Sequence, residues 1–311
     1  MQVTELAIIG AGTAGLTAAA IAAARGVSVL VIEHLAPGGQ IATVEKIRNM
    51  PGFPEGIGGY ELGPLLQQQA EEAGCEFLFD TAERIVPDDA GFAIHGSETM
   101  VRATAVILAM GSQRRILDVP GEKAFEGRGV SHCASCDGHF FRGKAVVVAG
   151  GGDSAFDEAE VLAEHAGQVT ILYRGAQPRA QAATVARVSA LPNVRLLPQT
   201  EIRAIEGAGE VERLVLEGPA GRSVEPAAGL FVYTGLVPRS ELAAGLAALD
   251  ARGAIQADGG FQTTCPGLFV AGDLRSGATS LLASLAGDGA AAAIAAVDHI
   301  RATARIPMET L

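Results

Sequence analysis

Twice in this chain a short apolar run ends in a glycine-rich turn that opens a helix. Residues 4–9 (Thr-Glu-Leu-Ala-Ile-Ile) lead into Gly10-Ala11-Gly12-Thr13-Ala14-Gly15 and an alanine-rich helix expected to reach about Ala24. Residues 144–149 lead into Gly150-Gly151-Gly152-Asp153-Ser154-Ala155 and a helix expected to reach about His165. The first turn is G-x-G-x-x-G between a strand and a helix. Gly10 permits the tight turn, Gly12 lets backbone approach a pyrophosphate at the helix N-terminus, and Gly15 lets helix and strand pack closely. The next strand, 27–32, ends in Glu33, about 20 residues past the loop, where an acid meets a ribose hydroxyl. The second turn is G-x-G-x-x-A. Its following strand, 169–173, ends in Arg174 with Arg179 shortly after. Basic residues there suit a 2′-phosphate, and so NADPH more than NADH.

The expected fold class is therefore α/β, with two Rossmann-like, three-layer nucleotide-binding domains. Residues 76–108 alternate as a meander, and 194–217 read as strands with polar turns. A late strand, Gly267 to Asp273, ends in an acid placed for a polyol or ribose, and a small-residue helix from about Ser280 to Arg301 closes the chain. This late return makes the second domain an insertion in the first. The expected division is 1–115 with 241–311 for one domain and 116–240 for the other. Gly/Pro-rich loops at 37–40 and 49–54 are long enough to be functional.

Just ahead of the second unit stands His132-Cys133-Ala134-Ser135-Cys136-Asp137-Gly138-His139. Cysteines three positions apart can close a disulfide in one local turn, the thiolate is the reactive species, and a nearby acid can move protons on and off it. Alone, the pair is half a zinc site, a redox dithiol or two packed thiols. Zinc would need two further ligands, and His132 and His139 sit too close in sequence to resemble the usual second half, so no metal site is expected. These histidines are expected to pack or face solvent. Cys75 and Cys265 read as structural thiols.

The 311 residues are 49% apolar with 40 glycines, which argues for a large core and against disorder. A formal charge of −12 makes nucleic acid or an anionic membrane an unsuitable partner. No stretch reaches about 18 uninterrupted apolar residues and no basic leader precedes the first strand, so a cytoplasmic protein with no membrane span is expected.

Taken together, Gly10-x-Gly12-x-x-Gly15, Gly38-Gly39-Gln40, Cys133-x-x-Cys136-Asp137-Gly138, Gly150-x-Gly152-Asp153-Ser154-Ala155 and Gly272-Asp273 resemble the low-molecular-weight thioredoxin reductases over nearly the whole chain. These are FAD-dependent pyridine nucleotide-disulfide oxidoreductases. The most specific piece is the cysteine pair immediately before the second nucleotide motif. The resemblance implies a homodimer with FAD in the N- and C-terminal segments and NADPH (or NADH) in the inserted domain. By position, Gly10, Gly12, Gly15, Glu33, Gln40, Asn49 and Asp273 would contact FAD, and Gly152, Asp153, Ser154, Arg174 and Arg179 would contact NADPH. Cys136 would sit nearer the flavin, Cys133 would attack the disulfide of thioredoxin or a thioredoxin-like protein, and Asp137 would handle the thiol proton. A hinge would cross at about 112–117 and 238–242.

The chain departs from the family pattern at Tyr173-Arg174-Gly175, Met110, Leu236 and Ser280-Leu281. The first removes a phosphate contact, and the last removes a polar contact expected near the flavin. Two other readings use the same cysteine pair: a dithiol oxidase passing electrons to oxygen without a nicotinamide, and a flavin-bound redox sensor. Ser154, Arg174 and Arg179 favour a working nicotinamide site.

Overall fold

The computed structural model describes residues 1–304, which divide into two compact units: Met1–Gln113 with the chain from Val237 onward, and Arg114–Leu236. Residues 305–311, the end of the expected 241–311 segment, lie outside the described residues.

In the first unit, β1 (Gln2–Ile9), α1 (Thr13–Ala23) and β2 (Val29–Glu33) form the opening strand–helix–strand. α2 (Gly59–Glu72), β3 (Glu76–Phe79), β4 (Ala82–Asp88), β5 (Gly91–Gly96) and β6 (Met100–Leu108) follow. Short β7 (Ser112–Arg114) ends this part of the chain. The sheet runs β3-β2-β1-β6-β5-β4, with β1, β2, β3 and β6 parallel and β4–β5–β6 antiparallel.

Burial on both faces explains the apolar runs Leu6 to Ile9 of β1, Val29 to Ile32 of β2 and Ala105 to Leu108 of β6. On β1, Leu6 and Ile8 enter one core, shared with α1, while Ala7 and Ile9 enter another, with Ile85, Phe92 and Ile94 of the meander.

In the second unit, β8 (Val130–Ser131) precedes a one-turn helix, α3 (Ala134–Asp137), which carries the cysteine pair. Then come β9 (Ala145–Ala149), α4 (Asp153–Ala163), β10 (Gln168–Tyr173), α5 (Ala182–Ser189), β11 (Val194–Pro198), β12 (Glu201–Glu206), β13 (Arg213–Gly218), β14 (Gly221–Pro226) and β15 (Gly229–Val232). Five parallel strands lie in the order β11-β10-β9-β15-β8, and β12-β13-β14 make a separate antiparallel sheet. Alternation again sets the layers. Val146 and Val148 pack with Phe156, Ala159 and Leu162 of α4, whereas Val147 and Ala149 pack with Ile202, Leu214 and Leu216 of the antiparallel sheet. Each fully buried phenylalanine here, Phe156 and Phe231, removes apolar surface worth about 2–3 kcal/mol. Both units thus have the α/β three-layer plan: helices on one face of a parallel sheet and a β-meander on the other.

The chain leaves the second unit through β16 (Leu236–Pro238), which pairs with β7 in a two-stranded ribbon. It returns to the first sheet with β17 (Leu268–Val270), parallel to the C-terminal half of β6, and the last described element is α6 (Leu282–Ala304). The alanines of α1 and α6 allow these helices to approach closely. At Gly289 a Cβ would stand 2.1 Å from the Ala14 carbonyl oxygen, so no larger residue fits there without moving a helix. No helix among the described residues is long and apolar enough to cross a membrane.

Candidate active site

The first glycine loop is shaped by backbone contact. Gly10 has φ +104°, and a Cβ there would lie 2.5 Å from the Ala109 carbonyl oxygen at the end of β6. At Gly15 a Cβ would lie 1.9 Å from the Gly10 oxygen, so the turn closes only with glycine. Gly12 caps α1 without a side-chain hydrogen bond, and a Cβ there would point into open space. Beside it the buried Thr13 hydroxyl has no hydrogen-bond partner among the described residues. Uncapped N–H groups and an orphaned hydroxyl at a helix N-terminus suit a phosphate oxygen.

Other sequence-predicted residues gather around this loop. Glu33, at the end of β2, is 8% exposed; its carboxylate accepts the Ala11 N–H at 2.8 Å and the Leu35 N–H at 2.9 Å. Gly38 donates its N–H to the Ala11 oxygen at 2.8 Å, bringing Gly38-Gly39-Gln40 against the loop. Gln40 Nε2 donates to the Ser112 oxygen and Oγ at 3.1 and 3.0 Å. Gly272 lies against Ala14 of α1, which places Asp273 at the same end of the sheet. Burial pushes the Asp273 carboxyl up, opposed by a 2.6 Å hydrogen bond from Ser280. Asn49 is exposed in the loop between Ile47 and Ile57, which are bridged to each other.

The second loop repeats the design. Gly152 caps α4 with no side-chain bond and with open space around it. Asp153 does not point away as a free acid; its Oδ1 accepts the Gln181 N–H at 2.7 Å. The Arg179 N–H donates to the Gly151 oxygen at 2.6 Å, tying segment 174–181 to the loop. Ser154, Arg174 and Arg179 are exposed. Arg174 lines an open cleft of about 330 Å³ with Gln199, Glu201, Arg203 and Glu217. Arg203 is paired with both Glu201 and Glu217, so Arg174 is the cation of this cleft without a carboxylate partner among the described residues.

Cys133 and Cys136 form a disulfide with a Cα–Cα distance of 5.3 Å. Cys133 is the N-cap of α3, and its Sγ accepts the Cys136 N–H at 3.2 Å. Cys136 is exposed and Cys133 partly buried. Asp137 accepts the Ser131 hydroxyl proton at 2.6 Å, and the same hydroxyl oxygen accepts the Cys133 N–H at 3.2 Å. On the opposite side, the Ala134 N–H is shared by Glu158 and Tyr233. His132 meets Glu126 and the Val232 carbonyl, and His139 stacks on Phe140. Cys75 is buried, and burial pushes its thiol up to about 11, which removes it from thiolate chemistry at neutral pH.

Residues 4–298 match the model of the pyridine nucleotide-disulphide oxidoreductases. The thioredoxin reductase of Treponema pallidum is 37% identical over 298 residues, covering 95% of this chain and 97% of that protein. The thioredoxin reductase of Mycolicibacterium smegmatis is 39% identical over 296 residues, covering 94% and 95%.

The chain belongs to the thioredoxin reductase family. Among solved structures, the thioredoxin reductase of Lactococcus lactis superposes with a TM-score of 0.93 at 32% identity, over 96% of this chain and 99% of that one. Family membership makes the chain an FAD-dependent disulfide oxidoreductase with Cys133–Cys136 as its redox-active pair, in a family that uses a nicotinamide nucleotide.

Thr13, Ser131, Glu158 and Tyr233 enter this site only through the structure. Thr13 and Ser131 are close enough to their motifs to be suspected from spacing. Glu158 and Tyr233 reach the cysteine turn from α4 and from the residue after β15, and no local pattern marks them.

Proposed function

We propose that this protein reduces the disulfide of thioredoxin or a thioredoxin-like protein, drawing electrons from NADPH in preference to NADH. The observation that carries the reading is a disulfide set on a one-turn helix directly ahead of the second nucleotide loop. The first unit is read as the FAD domain, with Gly10, Gly12, Gly15, Glu33, Gln40, Asn49 and Asp273 as its contacts. The Thr13 hydroxyl is added to that set because its unpaired oxygen suits a phosphate. FAD, bound there, supplies the two-electron relay between nicotinamide and disulfide.

The second unit is read as the nicotinamide-nucleotide domain. Gly152, Asp153 and Ser154 would hold the pyrophosphate, and Arg174 and Arg179 the 2′-phosphate. The Cys133–Cys136 bond takes up two electrons and two protons to give two thiols. Cys133, deprotonated, attacks one sulfur of the partner's disulfide. The partner's other sulfur leaves as a thiolate and takes a proton. Cys136 then attacks Cys133 in the mixed disulfide, re-forming the internal bond and releasing the partner as a dithiol. Support for Cys133 as the attacking sulfur is the Cys136 N–H aimed at its Sγ. Asp137, already held by Ser131, is placed beside this turn to take and return the thiol proton.

A homodimer is part of the proposal. Leu35, Tyr60, Leu65 and Phe79 of the first unit are exposed apolar side chains of the kind a subunit interface buries. Sedimentation measures this directly, and a monomer at micromolar concentration would refute it. The central test adds NADPH or NADH anaerobically to the flavin-loaded protein, then oxidised thioredoxin, while flavin absorbance is followed. Bleaching by NADPH and recovery on adding thioredoxin are expected. Failure of both nucleotides to bleach the flavin removes the reading and leaves the oxidase or sensor alternative.

A further inference from the structure

Ala134 is the first residue between the two cysteines, so its N–H belongs to the peptide bond leaving Cys133. That buried N–H donates to Glu158 Oε2 at 2.9 Å and to the Tyr233 hydroxyl oxygen at 3.2 Å. Tyr233 in turn donates its only hydroxyl proton to the same Glu158 oxygen at 3.0 Å. The three groups close a triangle. It joins the redox turn to α4, the helix that starts at the second glycine loop, and to the end of β15.

A neutral acceptor would satisfy both donors, so the charge of Glu158 is not required by the geometry. Burial pushes its carboxyl above the usual carboxylate range, against the Ala134 N–H, the Tyr233 hydroxyl and Arg114, which pull it down; Asp157 pushes it up. Arg114 and Asp157 are thus the charges that face this carboxyl, and two further groups on the packed elements have partners of their own. Asp137 of α3 is held by Ser131, and Arg187 of α5 pairs with Glu160 and Asp157. Through the Ala134 N–H, Glu158 grips the peptide bond that leaves Cys133.

We propose that Glu158, braced by Tyr233, is a positioning residue: it fixes the redox turn through the Ala134 N–H and sets the acidity of the Cys133 thiol once the disulfide is open. A nearby negative charge disfavours a second one, so ionised Glu158 holds Cys133 as the thiol, and protonation of Glu158 lifts that restraint. The inference rests on the reading that this pair cycles between disulfide and dithiol. It does not depend on which nucleotide reduces the flavin or which protein takes the electrons.

The test uses the flavin-loaded protein reduced by excess dithiothreitol, freed of reductant anaerobically, and alkylated with iodoacetamide between about pH 5 and about pH 9. Labelling at Cys133 and Cys136 is read separately by mass spectrometry. Glu158→Gln keeps an acceptor for both donors and removes the charge. Its Cys133 profile is expected to shift to lower pH, with labelling at pH 7 about threefold to tenfold faster. Glu158→Ala removes the anchor as well. Its disulfide is expected to re-form with oxidised dithiothreitol several-fold more slowly, with Glu158→Gln restoring the rate. An unmoved Cys133 profile in Glu158→Gln, or unimpaired closure in Glu158→Ala, overturns the proposal. If Glu158→Gln does not fold, Tyr233→Phe replaces it. Loss of the bracing hydroxyl makes the carboxylate easier to protonate, so a smaller shift in the same direction is expected and an unmoved profile is again fatal. Because no nucleotide or thioredoxin is present, failure here is distinct from failure of the proposed activity.

Discussion

The Ser131 hydroxyl donates to Asp137 Oδ2 at 2.6 Å while accepting the Cys133 N–H at 3.2 Å. One buried serine thus ties the proposed proton carrier to the backbone of the proposed nucleophile. Asp137→Asn is expected to slow dithiol–disulfide turnover by about 100-fold, the usual scale of general acid–base catalysis, with flavin content unchanged. Ser131→Ala leaves the acid in place but untethered, and a smaller loss, about tenfold, is expected. Steady-state thioredoxin reduction and the flavin absorbance ratio check both; equal loss of activity and flavin would make Asp137 structural.

The two cysteines are expected to behave differently. Cys136→Ser leaves Cys133 able to attack but nothing to resolve the product, so a mixed disulfide with thioredoxin accumulates. Cys133→Ser forms none. Non-reducing electrophoresis followed by mass spectrometry reads the adduct. Bleaching of the flavin by NADPH should survive in both variants.

Glu33 joins the end of β2 to the first glycine loop through the Ala11 N–H. Glu33→Ala leaves that N–H and the Leu35 N–H without their acceptor and removes the proposed ribose contact. Flavin binding is expected to weaken by at least about tenfold, since a charge-assisted hydrogen bond is worth about 1.5–3 kcal/mol. Flavin content after dialysis measures it.

Arg174 lines its cleft without a carboxylate partner among the described residues. Arg174→Ala is expected to raise the KM for NADPH about tenfold and leave that for NADH nearly unchanged, because only NADPH carries the 2′-phosphate. A parallel rise for both nucleotides would show that Arg174 does not read that phosphate.

Asp80, buried at the end of β3, gathers the Ser97 hydroxyl and the N–H groups of Thr81, Ser97, Glu98 and Thr99. The Ser97 hydroxyl and then the N–H groups of Thr99, Glu98 and Thr81 hold its carboxyl below the usual range, against burial. A carboxylate with a depressed folded pKa stabilises the fold above its unfolded value, about 3.9, and loses that contribution as pH falls through the lower folded value. Asp80→Ala is therefore expected to cost about 1–3 kcal/mol in urea denaturation at neutral pH, and progressively less as the pH falls below the unfolded value.

Both nucleotide units were legible in the sequence because strand–glycine–helix patterns obey local rules. Gly15 must be glycine wherever the turn closes on the Gly10 oxygen, and Val146 to Val148 must be apolar wherever a strand is buried on both faces. Alternation marked the meander at 76–108 and strands at 194–217, but not their pairing: β3 and β11 join the parallel sheets, and the second antiparallel sheet runs on through β14 to Pro226. The fate of the polar groups could not be read this way. Asp153 follows the second glycine loop as a candidate ligand, yet in the fold its carboxylate caps the Gln181 N–H.

By itself the sequence determined that there are two α/β nucleotide units, that a cysteine pair stands before the second, and that an acid follows it. Those are consequences of backbone sterics and side-chain period, which act over a few residues. Only the tertiary structure decided what grips the pair. Ser131 and Asp137 meet across one turn, but Glu158 and Tyr233 arrive at Ala134 from 24 and 99 residues away. A buried N–H must find an acceptor, and packing of α4 and β15 against the turn selects which one. Spacing along the chain carries no trace of that choice.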